Sequence, residues 1–401
     1  MDSRLKYLAL GVAVAGAGAA LSVSQAAPAT VPDSALIRDC VAAQARKLDF
    51  SGIVSVVRRG KSATYAQGLV AGPGSRPITS ATRFNLGSAG KMFTAVAVAQ
   101  LIDGGKIKLD DPIGGSVRGL TAEASRVTVR QLLDHSSGLG NYFAPENLPA
   151  LIKARTLRDL LPLVAADRPE FPPGERFAYS DTGFLLLGLM IEQVSGESYG
   201  DYVRGHIFTP AGMTATGLDA APTRAIGMTA MPDPMQGAPD HAAAAGGQRL
   251  MMQPGPGRTP PVGPLRPAAE AALHGGSAGG SFSTAADMRK FFAALLSGKL
   301  TSAKSLAMLV SPQIVAAKAE GGQPERDYGF GFGVGRFGGH RWFGHNGGAP
   351  GVNVEAIEFP DDQVTVVVLA NRDPPSATIL YRQLRAALFE PETGRACGVH
   401  S

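Results

Sequence analysis

One run constrains this chain more than any other. From Phe84 to Gly105 the sequence reads Phe-Asn-Leu-Gly-Ser-Ala-Gly-Lys-Met-Phe-Thr-Ala-Val-Ala-Val-Ala-Gln-Leu-Ile-Asp-Gly-Gly. Phe93, Val96, Ala99 and Ile102 recur at helical spacing, so the run predicts a buried helix rather than a strand. A loop leads into it, and Gly104-Gly105 supply a stop just after Asp103. Ser88 falls in the first turn and Lys91 three residues on, which sets both side chains on one face, about 5–6 Å apart at Cβ. A serine hydroxyl needs a neighbouring base to act as a nucleophile. A lysine serves when desolvation and the positive end of a helix favour its neutral form. Serine with lysine at +3 is common by chance, so the pair takes its weight from what else the chain carries.

The 401 residues are enough for two or three lobes with a large core. Charged residues at 18% and hydrophobic ones at 44% describe an ordered protein. At the start, Arg4 and Lys6 precede an apolar run from Tyr7 to Val23, then Ser24-Gln25-Ala26. This pattern predicts a secretory signal cut after Ala26, and the run is short and weakly hydrophobic for a membrane anchor. The expectation is an exported protein, periplasmic or secreted, with no stable membrane span after processing. Losing Asp2, Arg4 and Lys6 changes the formal charge from +5 to +4. The basic residues are scattered, with Arg58-Arg59 the nearest approach to a cluster in the first half, so a nucleic-acid partner is not expected. Cys40 and Cys397 lie near opposite ends, and either a disulfide between terminal helices or two free thiols fits an exported chain. The seven histidines show no H-E-x-x-H spacing, so neither a metal nor another cofactor is expected.

Along the chain, Ser34–Leu48 has helical spacing, and Ile53–Val57 with Ala63–Val70 reads as a hairpin around Arg59-Gly60-Lys61. Thr128–Leu139 predicts a short helix ending in a glycine turn, and Phe184–Ser195 a buried helix. Residues 222–267, rich in Pro, Gly, Ala and Met, read as a long irregular loop, either a plain insertion or a greasy lid. A helix follows Ser283-Thr284 to about Leu296, and another lies near Ser302–Val310. In Tyr328-Gly-Phe-Gly-Phe-Gly-Val334 the alternation predicts a strand with one bare face. Further strands are expected at Arg341–Gly344, Val352–Phe359 and Val364–Ala370, the last in mid-sheet because it is apolar on both faces. Ser376–Phe389 reads as a closing helix. The fold class expected is α/β (α+β): an antiparallel sheet flanked by N- and C-terminal helices. It would be built from residues 27–95 and 275–401, with a mostly helical domain inserted at 96–274.

Three sites stand in order: Ser88-x-x-Lys91, Tyr179-Ser180-Asp181 and His345-Asn346-Gly347-Gly348. With Leu132-Leu133-Asp134-His135-Ser136-Ser137-Gly138-Leu139, Pro172-Pro173-Gly174 and Gly279-Gly280-Ser281-Phe282-Ser283-Thr284, they resemble the serine β-lactamase and penicillin-binding-protein family. The likeness is closest to its class C-like branch, which holds class C β-lactamases, D-alanyl-D-alanine carboxypeptidases, D-aminopeptidases and family VIII carboxylesterases. It covers about Phe50 to Arg372. The resemblance implies that Ser88 attacks an acyl carbon. Lys91 and Tyr179 would share the proton, Tyr179 as a phenolate-like base with its pKa lowered by nearby cations. The amides of Ser88 and Gly348 would hold the oxyanion, and Asp181, His345, Asn346 and Gly347 would meet the substrate. A water would then release the acyl group.

Two departures bear on substrate. Relatives that act on β-lactams or peptidoglycan usually carry Asn where Asp181 stands and Lys-Thr-Gly in the third site. A carboxylate only accepts hydrogen bonds, and Asp181 could also pair with Lys91. His345 is a cation only when protonated. The resemblance therefore implies an esterase-like hydrolase of small ester or amide substrates, with oligomeric state left open. A D-alanyl-D-alanine carboxypeptidase, D-aminopeptidase or β-lactamase is the alternative, and a covalent sensor or inactive scaffold a second. Gly275-Gly-Ser277-Ala-Gly279 matches the G-x-S-x-G elbow, but no strand precedes it and no helix follows at once, so a glycine turn is the better reading. Gly333-Val-Gly335-Arg-Phe-Gly338 fits G-x-G-x-x-G without a following helix, and the dinucleotide reading is rejected.

Overall fold

Arg59 and Gly60, both at positive φ, turn the chain between β1 (Gly52–Arg58) and β2 (Lys61–Gln67). Such a two-residue turn matches the right-handed twist of the strands it joins, and the glycine accepts that geometry without steric cost. The computed structural model describes residues 41–43, 45–48, 50–219, 224–231, 263–268, 275–318 and 326–390. The expected signal segment, Cys40, Cys397 and most of the 222–267 loop lie outside the described residues, as does the first part of the Ser34–Leu48 helix. Residues 41–43 and 45–47 are helical. Among the described residues no helix is long and apolar enough to cross a membrane.

β1 and β2 join an eight-stranded, wholly antiparallel sheet. Its other strands are β3 (Ile314–Ala317), β4 (Arg326–Tyr328), β5 (Gly333–Phe337), β6 (His340–Ala349), β7 (Val352–Phe359) and β8 (Val364–Ala370). The order is β2-β1-β8-β7-β6-β5-β4-β3. Early and late strands thus meet at β1 and β8, with Val54 opposite Val368. β8 is interior, as its two apolar faces require. Val364, Val366 and Val368 pack with Leu380 and Leu384 on one side, while Val367 and Leu369 join the main core on the other. Each such side chain contributes about 1.5–3 kcal/mol when fully buried.

The helices that matter for the site are α1 (Lys91–Asp103), α2 (Val129–Leu133), α3 (Asp181–Ser195), α4 (Ala285–Leu296), α5 (Ala303–Leu309) and α6 (Ser376–Phe389). α1 is buried nearly all round and packs on α3. Thr128 caps α2 through a reciprocal capping box with Gln131. Ser180 caps α3 by accepting from the Gly183 N–H at 3.0 Å.

The glycine-alternating run departs from the expected single strand. β4 ends at Tyr328 and β5 begins at Gly333, with an irregular turn between them. Phe330 and Phe332 are both buried, and Gly331 sits at φ +75°. A Cβ added there would lie 2.4 Å from Ala95 Cβ on α1, so the bare position marks where the turn presses on that helix.

Candidate active site

Ser88 sits in a 3-10 turn, Gly87–Gly90, and α1 starts only at Lys91. The expected first helical turn is tighter than an α-helix for a local reason. The Gly87 carbonyl, which would accept from Lys91 N–H in an α-helix, accepts from Gly280 N–H at 3.0 Å instead. Asn85 Oδ1 holds the Gly87 N–H at 2.8 Å, and Gly87 takes φ +49°. Ser88 is left half-buried at the head of the helix.

The Lys91 side chain is fully buried. Its ammonium donates to Ser88 Oγ at 3.2 Å, to the Ala278 carbonyl at 2.5 Å and to Asp181 Oδ1. An ammonium has three donors, and all three are committed. The other oxygen of Asp181 accepts from Asn141 Nδ2 at 2.8 Å. The Lys91 nitrogen also lies 4.8 Å from the centre of the Tyr179 ring and 5.4 Å from that of Phe184. Burial draws the Lys91 pKa below its ordinary value, and the Asp181 carboxylate opposes the shift without cancelling it.

Tyr179 lies against this group, its hydroxyl buried and, among the described residues, without a hydrogen-bond partner. Ser88 is near enough to favour ionisation of the phenol, though the contact falls short of hydrogen-bond geometry. The expected lowering of the Tyr179 pKa is overturned. Burial, then the charge of Asp181, push it well above the usual phenol value. The group is a held phenol, not a standing phenolate.

β6 brings the third motif alongside. A Cβ on Gly347 would lie 2.0 Å from the Leu86 carbonyl oxygen and 3.1 Å from Ser88 N, and one on Gly87 would lie 3.2 Å from Gly348 N. Bare backbone therefore lets β6 lie flat against the Leu86–Ser88 turn, with the Gly348 amide beside it. His345 differs from the expectation of a substrate contact. Its ring is buried, with Nε2 2.8 Å from Tyr328 Oη and Nδ1 2.5 Å from the Asn346 carbonyl, so both nitrogens are spent inside the protein. Burial, reinforced by Lys91, drops its pKa to about 3. At neutral pH the third motif contributes an uncharged imidazole. Asp181 likewise turns both oxygens inward, onto Lys91 and Asn141, rather than presenting them to a substrate.

Ser277 of the G-x-S-x-G run is fully buried, and a Cβ on Gly188 of α3 would come within 2.2 Å of its hydroxyl. That run is a tight glycine turn, bridged between Gly276 and Gly279, whose Ala278 carbonyl receives Lys91. Gly333–Phe337 leads through Gly338-Gly339 into β6, with no helix. Asn141, Ala278, His135 and Tyr328 were not singled out as site residues in the sequence. His135 lies inside the Leu132–Leu139 motif, Ala278 inside the Gly275–Gly279 run and Tyr328 at the head of the glycine alternation, while nothing in the sequence marks Asn141. Among the described residues no three His, Cys, Asp or Glu side chains gather as a metal-holding group.

Comparison with known proteins fits this geometry. A family model described as Beta-lactamase matches residues 37–389. A putative penicillin-binding protein, PbpX, of Bacillus subtilis is 27% identical over 81% of this chain and 72% of its own length. Two further curated penicillin-binding proteins, 32–34% identical, match over only 32–36% of theirs. Among solved structures, a penicillin-binding protein from Bacillus halodurans superposes with a TM-score of 0.72 at 27% identity, covering 86% of this chain and 98% of that one. A D-stereospecific amidohydrolase from Streptomyces gives 0.67 at 25%, covering 90% and 100%.

Proposed function

Because the chain belongs to the Beta-lactamase family, whose members include hydrolases, we propose that it is an exported serine hydrolase. It cleaves small neutral esters through an acyl-enzyme on Ser88. The observation that carries the nucleophile is the buried Lys91 amine 3.2 Å from Ser88 Oγ, with a phenol beside it that has no hydrogen-bond partner among the described residues.

In this reading the fraction of Lys91 made neutral by burial takes the Ser88 proton as Oγ bonds to the carbonyl carbon. The amides of Ser88 and Gly348 receive the oxyanion. Tyr179, kept protonated, gives its proton to the departing alkoxide as the ester C–O bond breaks, and Lys91 reprotonates it. The acyl group is then on Ser88, the alcohol has left, Lys91 is neutral again and Tyr179 is protonated again. Water repeats the sequence, with Ser88 as the leaving group.

Preference for a neutral ester follows from His345. An uncharged imidazole gives a substrate carboxylate no ionic partner, which disfavours β-lactams and D-alanyl-D-alanine termini. An amide is the second reading, supported by the likeness to the Streptomyces amidohydrolase. The test compares turnover of short p-nitrophenyl esters, nitrocefin and a D-alanyl-D-alanine peptide by the wild type and by Ser88→Ala. Ester turnover lost with Ser88 is expected. A clear preference for nitrocefin or the peptide overturns the ester assignment, and labelling without steady turnover makes the protein a covalent sensor.

A further inference from the structure

His135 is an unusual place for an imidazole. It sits just past α2 at φ +60°, a left-handed conformation that few non-glycine residues adopt, and it is fully buried. Strain of this kind persists where surrounding contacts fix it. The contacts are several. The His135 carbonyl accepts from Ala178 N–H at 2.8 Å, and the ring stacks on Tyr179 with centroids 4.0 Å apart and planes 30° apart. Phe177, Phe184 and Tyr328 complete the surround.

Its polar atoms form one ordered chain. The backbone N–H of Ser180 can only donate, so His135 Nδ1, 3.1 Å away, must accept. A neutral His135 then carries its proton on Nε2 and donates to Tyr328 Oη at 3.2 Å. The Tyr328 hydroxyl is left to donate to His345 Nε2 at 2.8 Å. His345 therefore carries its proton on Nδ1 and donates it to the Asn346 carbonyl at 2.5 Å. One assignment of protons satisfies every partner, and both rings must be neutral. Burial supports this, since it holds both imidazoles below their ordinary pKa and keeps the Tyr328 phenol protonated.

We propose that His135 and Tyr328 are positioning residues: their fixed chain of donors ties the Tyr179–Ser180 segment to the third-motif strand and so holds the phenol and the Gly348 amide in register around Ser88. The catalytic half of this statement rests on the hydrolase reading above; the ordering of protons does not. The chain crosses from the turn after α2 to β4 and then β6, segments separated by 193 and 17 residues, through uncharged groups alone. A neutral link brings no net charge beside Lys91 or the forming oxyanion.

Two measurements test it. Long-range proton–nitrogen spectra of the wild-type histidine rings, assigned with His345→Gln and His135→Gln, should show at pH 7 a His135 protonated only on Nε2 and a His345 protonated only on Nδ1. Tyr328→Phe keeps the ring packing and removes the shared hydroxyl. It should slow fluorophosphonate labelling of Ser88 and ester kcat about ten- to a hundredfold, with KM within about twofold, and shift the His345 Nε2 resonance as that nitrogen loses its donor, while the Asn346 carbonyl keeps the proton on Nδ1. The opposite tautomer, or a doubly protonated ring, in the wild type overturns the chain whether or not the variant folds. Wild-type labelling by a folded Tyr328→Phe overturns the positioning role. If the wild type takes no label, the hydrolase reading falls and the spectra still decide the ordering.

Discussion

Asn141 donates to the one oxygen of Asp181 that Lys91 leaves free, at 2.8 Å, so the lysine's counter-ion is itself held in place. This pairing sets how much neutral amine the site offers. Burial favours the amine, while Asp181 favours the ammonium.

Asp181→Asn removes the opposing charge and leaves the burial. The Lys91 pKa should fall further, and the acid limb of the kcat/KM profile should move to lower pH by about one to two units. The sign follows from the base being the deprotonated form, so a lower pKa leaves more of it at a given pH. A pH–rate profile on a p-nitrophenyl ester checks this, and an unmoved acid limb removes Lys91 as the titrating base.

Gly347→Ala should be nearly silent in the far-UV spectrum and severe in activity. The added Cβ meets backbone, not a flexible side chain, 2.0 Å from the Leu86 oxygen. The strand must retreat from the Ser88 turn, and displacement of an oxyanion donor costs about 10²–10³ in kcat. Stopped-flow acylation separates this loss from any change in substrate binding.

Ser277→Ala should leave turnover intact and stabilise the fold by up to about 1 kcal/mol. The Ser277 hydroxyl is buried without a partner among the described residues, so its removal relieves an unmet desolvation cost. Denaturant melts beside ester assays measure both; a large loss of activity would transfer the nucleophile to the glycine turn.

Glu358 supplies a pH signature away from the site. Burial lifts its carboxyl to about 7 from an ordinary 4.5. Between those values the unfolded chain releases a proton that the folded chain keeps, so this group's contribution to stability declines as pH rises, by at most about 1.4 kcal/mol per unit. Glu358→Gln still accepts from Thr365 Oγ1 but does not titrate. Its stability relative to wild type should climb from about pH 4.5 to 7 and then level off, read as the difference between paired urea melts.

Much of the fold was legible because burial leaves a periodic trace. α1, β7, β8 and α6 lie where their apolar spacing set them. The Tyr328–Val334 run misled because alternate glycines satisfy the strand pattern equally well when each one answers a separate neighbour. In the site, the three motifs stood out as side chains, and their surroundings did not. Ala278 acts through its carbonyl, which any residue possesses, and Asn141 depends on a loop conformation that local sequence does not dictate. The family resemblance implies a lowered Tyr179 pKa, with cations near the phenol. The larger effect, withdrawal from water together with a carboxylate partner, exists only once the chain has folded. His135 showed no outward sign of its left-handed backbone.

The three hydrogen bonds of the Lys91 ammonium end at positions 88, 181 and 278. Two of these acceptors lie 90 and 187 residues from the lysine, so loop closures of very different reach must all be complete before the amine is gripped. A refolding chain would regain helix content well before it regains a reactive serine. Labelling of Ser88 then serves as a clock for the last long-range closure, an event that spectroscopic probes of secondary structure pass over.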